Sequence, residues 1–360
     1  MKILVVGGSN SVMKPGYLDH VHASLKQNGI KAPAFKNLSV GTNNCLIGLE
    51  NIRLFDGLDK FDKIIIEFAV NDLSLIASDA FETWQCAYEG LLRHVLRQAP
   101  RIQVYNLILG RRPERTRALT ERIRTGMHEI VGHYKDHYDI RIVDFDQHLR
   151  DSLQNDQKRI EQHYRDGVHY GLDTGAPILG RYLAQHLLAE PLPATSSWPA
   201  SLCAASFDRA EFCVLPEVST DLETHEFKNT RFCKKAIEMR VGERLTVDLP
   251  GPLICLSFLA TVASRPLLVE EEGEAPILLY TSHVGLEKTP EKFIIKNFAF
   301  EWKKWSSIER KGRRTVTFSA VERADISGFQ PYLVNRYNMV PGWDEGRGPY
   351  LSNLLYLPQQ

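Results

Sequence analysis

Two short groups of residues, one at each end of the first half of the chain, carry the side chains that nucleophilic acyl transfer requires. Gly7-Gly8-Ser9-Asn10-Ser11 supplies a hydroxyl, and Asp166-Gly167-Val168-His169 supplies an imidazole three residues after a carboxylate. A serine hydroxyl is a weak nucleophile until an imidazole accepts its proton, and a carboxylate fixes the tautomer of that imidazole. We therefore predict Ser9 as the nucleophile, His169 as the base and Asp166 as the residue that orients the base.

Two further groups supply hydrogen-bond donors. They are Val40-Gly41-Thr42-Asn43 and Ala69-Val70-Asn71-Asp72. The tetrahedral intermediate of acyl transfer needs donors directed at its oxyanion. We predict that the N–H groups of Ser9 and Gly41 and the side-chain amide of Asn71 form this oxyanion hole. Ser11 is a rival nucleophile, although a role at the start of a helix suits it better, and Asp72 is interpreted as a turn residue.

The elements that must position these groups follow an α/β pattern up to about residue 190. Short Ile- and Val-rich runs alternate with segments of helical periodicity, which indicates a parallel sheet covered by helices. The predicted strands are Lys2–Val6, Ala34–Val40, Lys63–Val70, Ile102–Leu109 and Ile140–Phe145. The predicted helices are Tyr17–Gln27, one capped by Thr42, one capped by Asp79 that presents Trp84, Tyr88, Leu91 and Val95, the charged segment Pro113–Tyr134, and Thr174–Leu188. Three of the four groups follow strands and should meet at the carboxyl edge of the sheet.

The order Ser, Gly, Asn, His in four blocks resembles that of the SGNH (GDSL-type) hydrolases. Their first block usually has an acid where this chain has Gly8, and their third block has a glycine where this chain has Ala69, while Asp166 and His169 match the last block. The resemblance covers about residues 1–190. It implies a flavodoxin-like three-layer α/β/α fold of about five strands. It also implies a serine ester hydrolase, similar to members that act on acyl esters of polysaccharides.

The remainder of the chain has a different pattern. Residues 191–200 contain three prolines among small polar residues and are predicted to form a linker between domains 1–190 and 201–360. Short apolar or alternating runs then recur between turns, which predicts a β-rich, sandwich-like accessory domain. Its aromatic residues could form a sugar-stacking surface that presents a glycan, or they could belong to the core. They are Trp302, Trp305, Tyr332, Tyr337, Trp343 and Tyr350.

The expected activity is removal of an acyl group, acetyl above all, from a carbohydrate without a cofactor. An O-acetyltransferase that moves acetyl from acetyl-CoA, as co-substrate, to a polysaccharide hydroxyl is an alternative. A non-catalytic nucleotide- or glycan-binding protein is another, because a small-residue loop before a helix can hold a phosphate. Arg111 and Arg112, which follow the fourth predicted strand, are candidate substrate-binding residues for an anionic group.

The bulk composition limits the partners. Lys+Arg and Asp+Glu are both 44 in 360 residues, so there is no basic excess to bind a nucleic-acid backbone. The first apolar run is too short for a secretory signal and no run approaches the ~20 residues of a membrane span, so we expect a cytoplasmic protein. The six cysteines include no Cys-x-x-Cys pair, and we predict no metal site. The oligomeric state is left open.

Overall fold

The computed structural model describes residues 1–77, 80–192, 195, 197–219, 221–229, 231–300, 313–322, 331–332, 339–340 and 347–359. The chain forms two compact units, Met1–Asp208 and Arg209–Gln360. The predicted cap Asp79 lies outside the described residues, as do Trp302, Trp305, Tyr337, Trp343 and the side chain of Tyr332.

The first unit contains a parallel five-stranded sheet in the order β2-β1-β3-β4-β5. Its strands are β1 (Lys2–Gly7), β2 (Ala34–Asn37), β3 (Lys63–Glu67), β4 (Gln103–Ile108) and β5 (Ile140–Asp144). Its helices are α1 (Tyr17–Gln27), α2 (Cys45–Arg53), α3 (Ala69–Ala77), α4 (Phe81–Gln98), α5 (Arg117–Tyr134), α6 (Phe145–Ser152), α7 (Gln157–Glu161) and α8 (Gly175–Leu188). This strand order is the flavodoxin-like one, and it confirms the predicted fold.

Helices cover both faces of this sheet. Ile3 and Val5 of β1 pack in one apolar cluster with residues of α1 and α8, among them Val21 and Leu183. Because successive side chains of a strand point to opposite faces, Leu4 and its neighbour two residues on face the other layer, and they are fully buried as well. The predicted apolar face of α4 is also buried, with Trp84, Tyr88, Leu91 and Val95 at 0% exposure.

The third strand is shorter than predicted. It ends at Glu67, and the carbonyl of Phe68 accepts hydrogen bonds from the N–H groups of Asn71 and Asp72, both at 2.8 Å, so that α3 begins at Ala69. The prediction that Ala69-Val70-Asn71-Asp72 ends a strand was therefore wrong. An apolar run of this length does not distinguish a buried strand from the first turn of a buried helix.

The second strand and the following helix also differ from the prediction. β2 ends at Asn37 rather than Val40, and α2 begins at Cys45. Its cap is Asn44, whose side chain accepts a hydrogen bond from the N–H of Leu46 at 3.1 Å, and not Thr42. Thr42 lies instead in the left-handed region with φ 61°. A β-branched residue is costly there, and such strain is concentrated at functional loops.

The first unit continues past residue 190, where the sequence placed the domain end. Buried Asp208 accepts hydrogen bonds from Arg93 (3.2 Å) and Arg97 (2.6 Å), and the ring of Trp198 lies over both guanidinium groups. Glu89 accepts the N–H groups of residues 202 and 203 at 2.6 and 2.8 Å. These polar contacts attach the segment 198–208 to α4, and this segment includes the end of the predicted linker 191–200.

The second unit is a β-sandwich, as predicted. Its elements are β6 (Glu211–Val214), α9 (Leu215–Val218), β7 (Thr224–Lys228), β8 (Cys233–Glu238), β9 (Arg244–Leu249), β10 (Leu253–Ala260), β11 (Leu267–Glu271), β12 (Ile277–Leu279), β13 (Ser282–His283), β14 (Ile294–Ala299), β15 (Arg314–Ala320), β16 (Pro331–Tyr332), β17 (Met339–Val340) and β18 (Tyr350–Tyr356). One sheet has the order β14-β10-β18-β8-β7, with β6 also on β18, and the other has the order β16-β12-β11-β15-β9. Phe258 and Leu354 of the first sheet share one core with Leu249, Val269 and Phe318 of the second. In the described parts of both units, no helix combines the length and the apolar composition of a membrane span.

Candidate active site

The structure brings together the three residues predicted to act as nucleophile, base and orienting carboxylate. Ser9 Oγ lies 2.8 Å from His169 Nε2, and His169 Nδ1 lies 2.8 Å from Asp166 Oδ2. Ser9 follows the carboxyl end of β1, whereas the other two lie on the loop before α8, where His169 is 160 residues away in sequence. The imidazole therefore joins the hydroxyl to the carboxylate in one hydrogen-bond chain, which is the geometry of a serine nucleophile with its base.

The loop that carries the base is held by its own carboxylate. Asp166 Oδ1 accepts the N–H groups of Val168 and His169, each at 2.9 Å, while Oδ2 faces the imidazole. Partial burial raises the pKa of Asp166, but the hydrogen bonds from Val168 and His169 outweigh it, so the pKa lies below its ordinary value. Asp166 is thus a carboxylate at neutral pH, and it favours the tautomer that leaves Nε2 free to accept a proton.

The nucleophile loop turns sharply after β1. The N–H of Gly8 donates to the carbonyl of Glu67 at 2.9 Å, and the N–H of Val12 donates to the carbonyl of Ser9 at 3.1 Å. Ser11, the rival hydroxyl, is buried below the loop, where its Oγ lies 2.8 Å from Glu67 Oε2 and 2.7 Å from the hydroxyl of Tyr17. Ser11 therefore supports the loop, while Ser9 faces His169.

Gly41 lies beside Ser9. A Cβ built on Gly41 would be 3.6 Å from Ser9 Cβ, so the two backbones are in van der Waals range. Asn43 Nδ2 donates to the carbonyl of Gly41 at 2.9 Å and holds this turn. Among the described residues, the N–H groups of Ser9 and Gly41 donate to no other protein atom. Both are therefore available to an oxyanion.

Asn71 is the third predicted donor, and it packs against Gly8. A Cβ on Gly8 would lie 2.6 Å from Asn71 Cγ and closer still to Oδ1, so the amide occupies the space that a side chain at position 8 would fill. Asn71 Oδ1 is buried and accepts no hydrogen bond from a described residue, while Nδ2 is the atom farther from Gly8. The glycine that replaces the usual acid thus makes room for the amide.

Asp72 links the segments that carry two of the donors. It is fully buried, and its Oδ1 accepts the N–H of Cys45, the first residue of α2, at 2.8 Å, while Oδ2 accepts from Trp84 Nε1 at 2.9 Å. Burial raises the pKa of Asp72 to about 7. Asp72, interpreted from the sequence as a turn residue, lies in α3 and fixes the start of α2, just after the Gly41 turn, relative to Asn71.

Arg111 and Arg112, the predicted substrate-binding residues, both contact the loops of the site. Arg111 donates from Nε (3.1 Å) and Nη2 (2.5 Å) to the carbonyl of Val70, the residue before Asn71. The N–H of Arg112 donates to the carbonyl of Gly167 at 3.1 Å, and its side chain is exposed. Arg111 therefore braces the Asn71 segment, and binding of an anionic substrate group by either residue stays a prediction.

Glu67 is a buried acid that the sequence analysis did not include in the site. It is the last residue of β3, is 0% exposed, and its Oε1 has no hydrogen-bond partner among the described residues. Burial raises its pKa to about 7, against the hydrogen bonds from Ser11 and the Gly8 backbone. The only signal in the sequence was a charged residue in the doubly buried run Lys63–Glu67, where an acid is rare.

Glu67 is expected to make stability fall with rising pH. Its folded pKa of about 7 exceeds the ordinary 4.5, so the folded state holds a proton that the unfolded state releases between these values. The stability that the neutral acid provides is complete below pH 4.5 and is lost as the pH rises through 7. At 1.36 kcal/mol per pKa unit, the loss is about 3 kcal/mol. Urea midpoints of Glu67→Gln and the wild type, measured from pH 4.5 to 8, should diverge in favour of the variant.

The control for this prediction is Glu161→Gln, which changes an exposed carboxylate on α7. Its urea midpoint should run parallel to that of the wild type across the same pH range. A Glu67→Gln curve that also runs parallel to the wild type, whatever its offset, would show that Glu67 keeps an ordinary pKa. A constant difference between the two sets of urea midpoints does not report on the pKa of Glu67. The introduced amide N–H groups are buried at every pH and change the stability by the same amount throughout.

Comparison with known proteins agrees with this geometry. Residues 6–173 match the GDSL-like Lipase/Acylhydrolase family. A comparison with curated proteins gave no match. Over 100% of its length the chain is similar to a two-domain esterase (CEX) active on acetylated mannans, at 15% identity and a TM-score of 0.64 over 91% of that chain in its co-crystal with mannopentaose. The same esterase crystallized without that ligand gives 14% identity, a TM-score of 0.64 and 92% coverage.

A further solved structure, an acetyl xylan esterase named AlAXEase, is similar over 52% of this chain and 98% of its own, at 19% identity and a TM-score of 0.40. At these identities the two-domain esterase establishes a shared fold for both units. The family match covers every block on which the resemblance to SGNH hydrolases rested, from the nucleophile loop to the loop before α8. Over residues 6–173 the chain therefore matches the GDSL-like lipase/acylhydrolase family, and this match supports a serine ester hydrolase.

Proposed function

We propose that this protein is an esterase that removes acetyl groups from an acetylated carbohydrate through an acyl-enzyme on Ser9. The observation that carries the proposal is the unbroken chain of hydrogen bonds from Ser9 Oγ through His169 to Asp166, at 2.8 Å in both steps. In this chain Ser9 supplies the nucleophilic oxygen, His169 accepts its proton and Asp166 orients the imidazole. No second candidate function is favoured by a specific observation.

In the acylation step, Ser9 Oγ forms a bond to the ester carbonyl carbon while its proton passes to His169 Nε2. Negative charge develops on the carbonyl oxygen, where the N–H groups of Ser9 and Gly41 and Asn71 Nδ2 are available as donors. The imidazolium is stabilised by the carboxylate of Asp166 on its other nitrogen. When the intermediate collapses, the bond to the sugar oxygen breaks and Nε2 gives that oxygen its proton.

Deacylation repeats the sequence with water. His169 Nε2 takes a proton from a water molecule as its oxygen attacks the acyl carbon, and the same donors bind the second oxyanion. The bond to Ser9 Oγ then breaks, the serine recovers its proton from His169, and acetate leaves. Acetyl transfer to a sugar hydroxyl would differ only in the nucleophile of this second step.

The carbohydrate substrate is inferred from the two-domain esterase, whose description names acetylated mannans, because the likeness extends over both units of this chain. An accessory β-sandwich that presents a glycan would explain why the second unit accompanies the hydrolase domain. Neither argument depends on a residue that identifies a particular sugar.

The test of this proposal measures where the acetyl group goes. Incubation with acetylated mannan, acetylated xylan and a chromogenic acetate ester should release free acetate, and added deacetylated glycan should leave the rate unchanged. A fluorophosphonate probe should label Ser9, as located by peptide mass spectrometry. Acetyl-CoA consumed in step with glycan acetylation would instead identify an acetyltransferase. A folded protein that neither labels nor releases acetate would be a binding protein.

A further inference from the structure

The residue after the proposed nucleophile makes contacts that the mechanism has not used. Asn10 is 4% exposed, and its side-chain amide reaches from the nucleophile loop to the loop that carries His169, 158 residues away. Asn10 Nδ2 donates to the carbonyl of Val168 at 3.0 Å, and Asn10 Oδ1 accepts the N–H of Tyr170 at 3.4 Å. The amide therefore holds the residues on both sides of His169.

The backbone N–H and carbonyl of His169 itself are hydrogen-bonded within their own loop. The N–H of His169 donates to Asp166 Oδ1, and its carbonyl accepts the N–H of Arg165 at 2.8 Å. These bonds shape the loop but do not fix its distance from Ser9. The Asn10 amide does so directly, because it belongs to the residue bonded to Ser9.

An amide suits this position because it carries one donor and one acceptor on a single planar group. The two contacted groups are a carbonyl and an N–H, so both amide atoms are matched. A carboxylate would place an acceptor against the Val168 carbonyl, and an apolar side chain would leave both backbone groups without this partner. Neither replacement keeps both bonds.

We propose that Asn10 is a positioning residue that sets the separation of Ser9 Oγ and His169 Nε2 by clamping the peptide groups on both sides of His169. The proposal rests on the function proposed above, in which these two atoms exchange a proton. Misplacement of reacting groups by about 1 Å can cost about 10²-fold in rate. Loss of the clamp should therefore lower kcat by about 10- to 10²-fold while KM changes little.

The test compares three variants with the wild-type full chain: Asn10→Ala, Asn10→Asp and the control Asn106→Ala. Asn106, on β4, is also fully buried, donates to the Arg141 carbonyl at 3.1 Å and accepts the Tyr88 hydroxyl at 2.7 Å. Like Asn10 it donates to one backbone carbonyl and accepts one hydrogen bond, but neither bond joins the loop that carries His169. The measurements are kcat and KM for a chromogenic acetate ester, the rate of fluorophosphonate labelling and the melting temperature.

We expect Asn106→Ala to lower the melting temperature with kcat unchanged, and Asn10→Ala to lower kcat and the labelling rate by about 10- to 10²-fold. The pH dependence of Asn10→Asp provides a second signature. When protonated, the introduced carboxyl again carries one donor and one acceptor, so its activity relative to the wild type should rise at least about threefold from pH 8 to pH 5. The same ratio for Asn10→Ala should stay flat.

The other titratable groups around Asn10 do not account for a pH dependence of the activity of Asn10→Asp relative to the wild type. His169 and Asp166 are present in the wild type and in all the variants compared. Tyr17 and Tyr170 line the small cavity beside Asn10, and burial raises the pKa of both well above the range of the assay. A change in the ratio with pH therefore reports on the introduced carboxyl.

The outcomes separate the two proposals. If Ser9 of the wild type is labelled and Asn10→Ala is labelled equally fast, the clamp is wrong and the proposed function stands. If Asn10→Ala lowers the melting temperature and leaves kcat unchanged, as expected for Asn106→Ala, Asn10 is merely structural and the clamp is wrong. If Ser9 of the wild type is not labelled, the proposed function fails and the clamp fails with it.

Discussion

Replacement of Ser9 by alanine is expected to lower kcat/KM for ester hydrolysis by about 10⁴- to 10⁶-fold, the size seen when a nucleophile of this kind is removed. His169→Ala should cause a loss of similar size, because the hydroxyl is a weak nucleophile without its base. The double variant should be no worse than either single variant, since the pair acts as one unit across the 2.8 Å bond between Ser9 Oγ and His169 Nε2. Initial rates on a chromogenic acetate ester measure all three.

The controls change the same residue types elsewhere in the first unit. Ser152→Ala lies at the exposed end of α6 and His128→Ala on the exposed side of α5, and both should retain wild-type rates. Far-ultraviolet circular dichroism should show every variant folded. A Ser9→Ala protein that retains a tenth or more of the wild-type rate would contradict the acyl-enzyme mechanism.

Replacement of Gly8 by alanine or by aspartate, the type of residue common at this position in the family, is expected to lower kcat by about 10²- to 10³-fold. The new Cβ would lie 2.6 Å from Asn71 Cγ, so the amide would have to rotate away from its place. Removal of one oxyanion donor typically costs that much. The contacted atoms are the end of a side chain, so the fold should survive and the melting temperature should change little.

A double-variant cycle tests this cause. Asn71→Ala should match the loss in Gly8→Ala, and the combined variant should be no slower than either, because both remove one donor. Gly132→Ala is the matched control, since a Cβ there meets nothing within 4 Å and the position lies in α5. Full activity of Gly8→Ala, or losses that multiply in the combined variant, would show that position 8 and the amide are independent.

Much of the fold could be predicted because the Ile- and Val-rich strands are buried on both faces and leave a strong pattern. Among the helices, Tyr17–Gln27 was predicted with the bounds that the structure has. The residues Ser9, Gly41, Asn71, Asp166 and His169 could be selected because their types and order fit one reaction. The rule that the carboxyl ends of parallel strands share an edge predicted that the groups with Ser9, Gly41 and Asn71 lie close together.

The rest depended on contacts that leave no local pattern. The end of β3 is set by where the carbonyl of Phe68 finds donors, and the apolar residues beyond it suit a strand or a helix equally. The role of Gly8 depends on a side chain 63 positions later, and that of Asn10 on backbone groups 158 residues away. Periodicity reports which face is buried, but not which distant group lies against it.

The segment that follows α8 has a consequence for how this chain can be divided. A cut after residue 190, where the composition changes, would take Asp208 from Arg93 and the two backbone donors from Glu89, leaving charged groups in or near the core without their partners. A buried charge without its partner is strongly destabilising. A hydrolase domain cut after Asp208 retains these pairs. The C-terminal boundary of the first unit is therefore set by the residues that pair with its buried charges, and not by the end of α8.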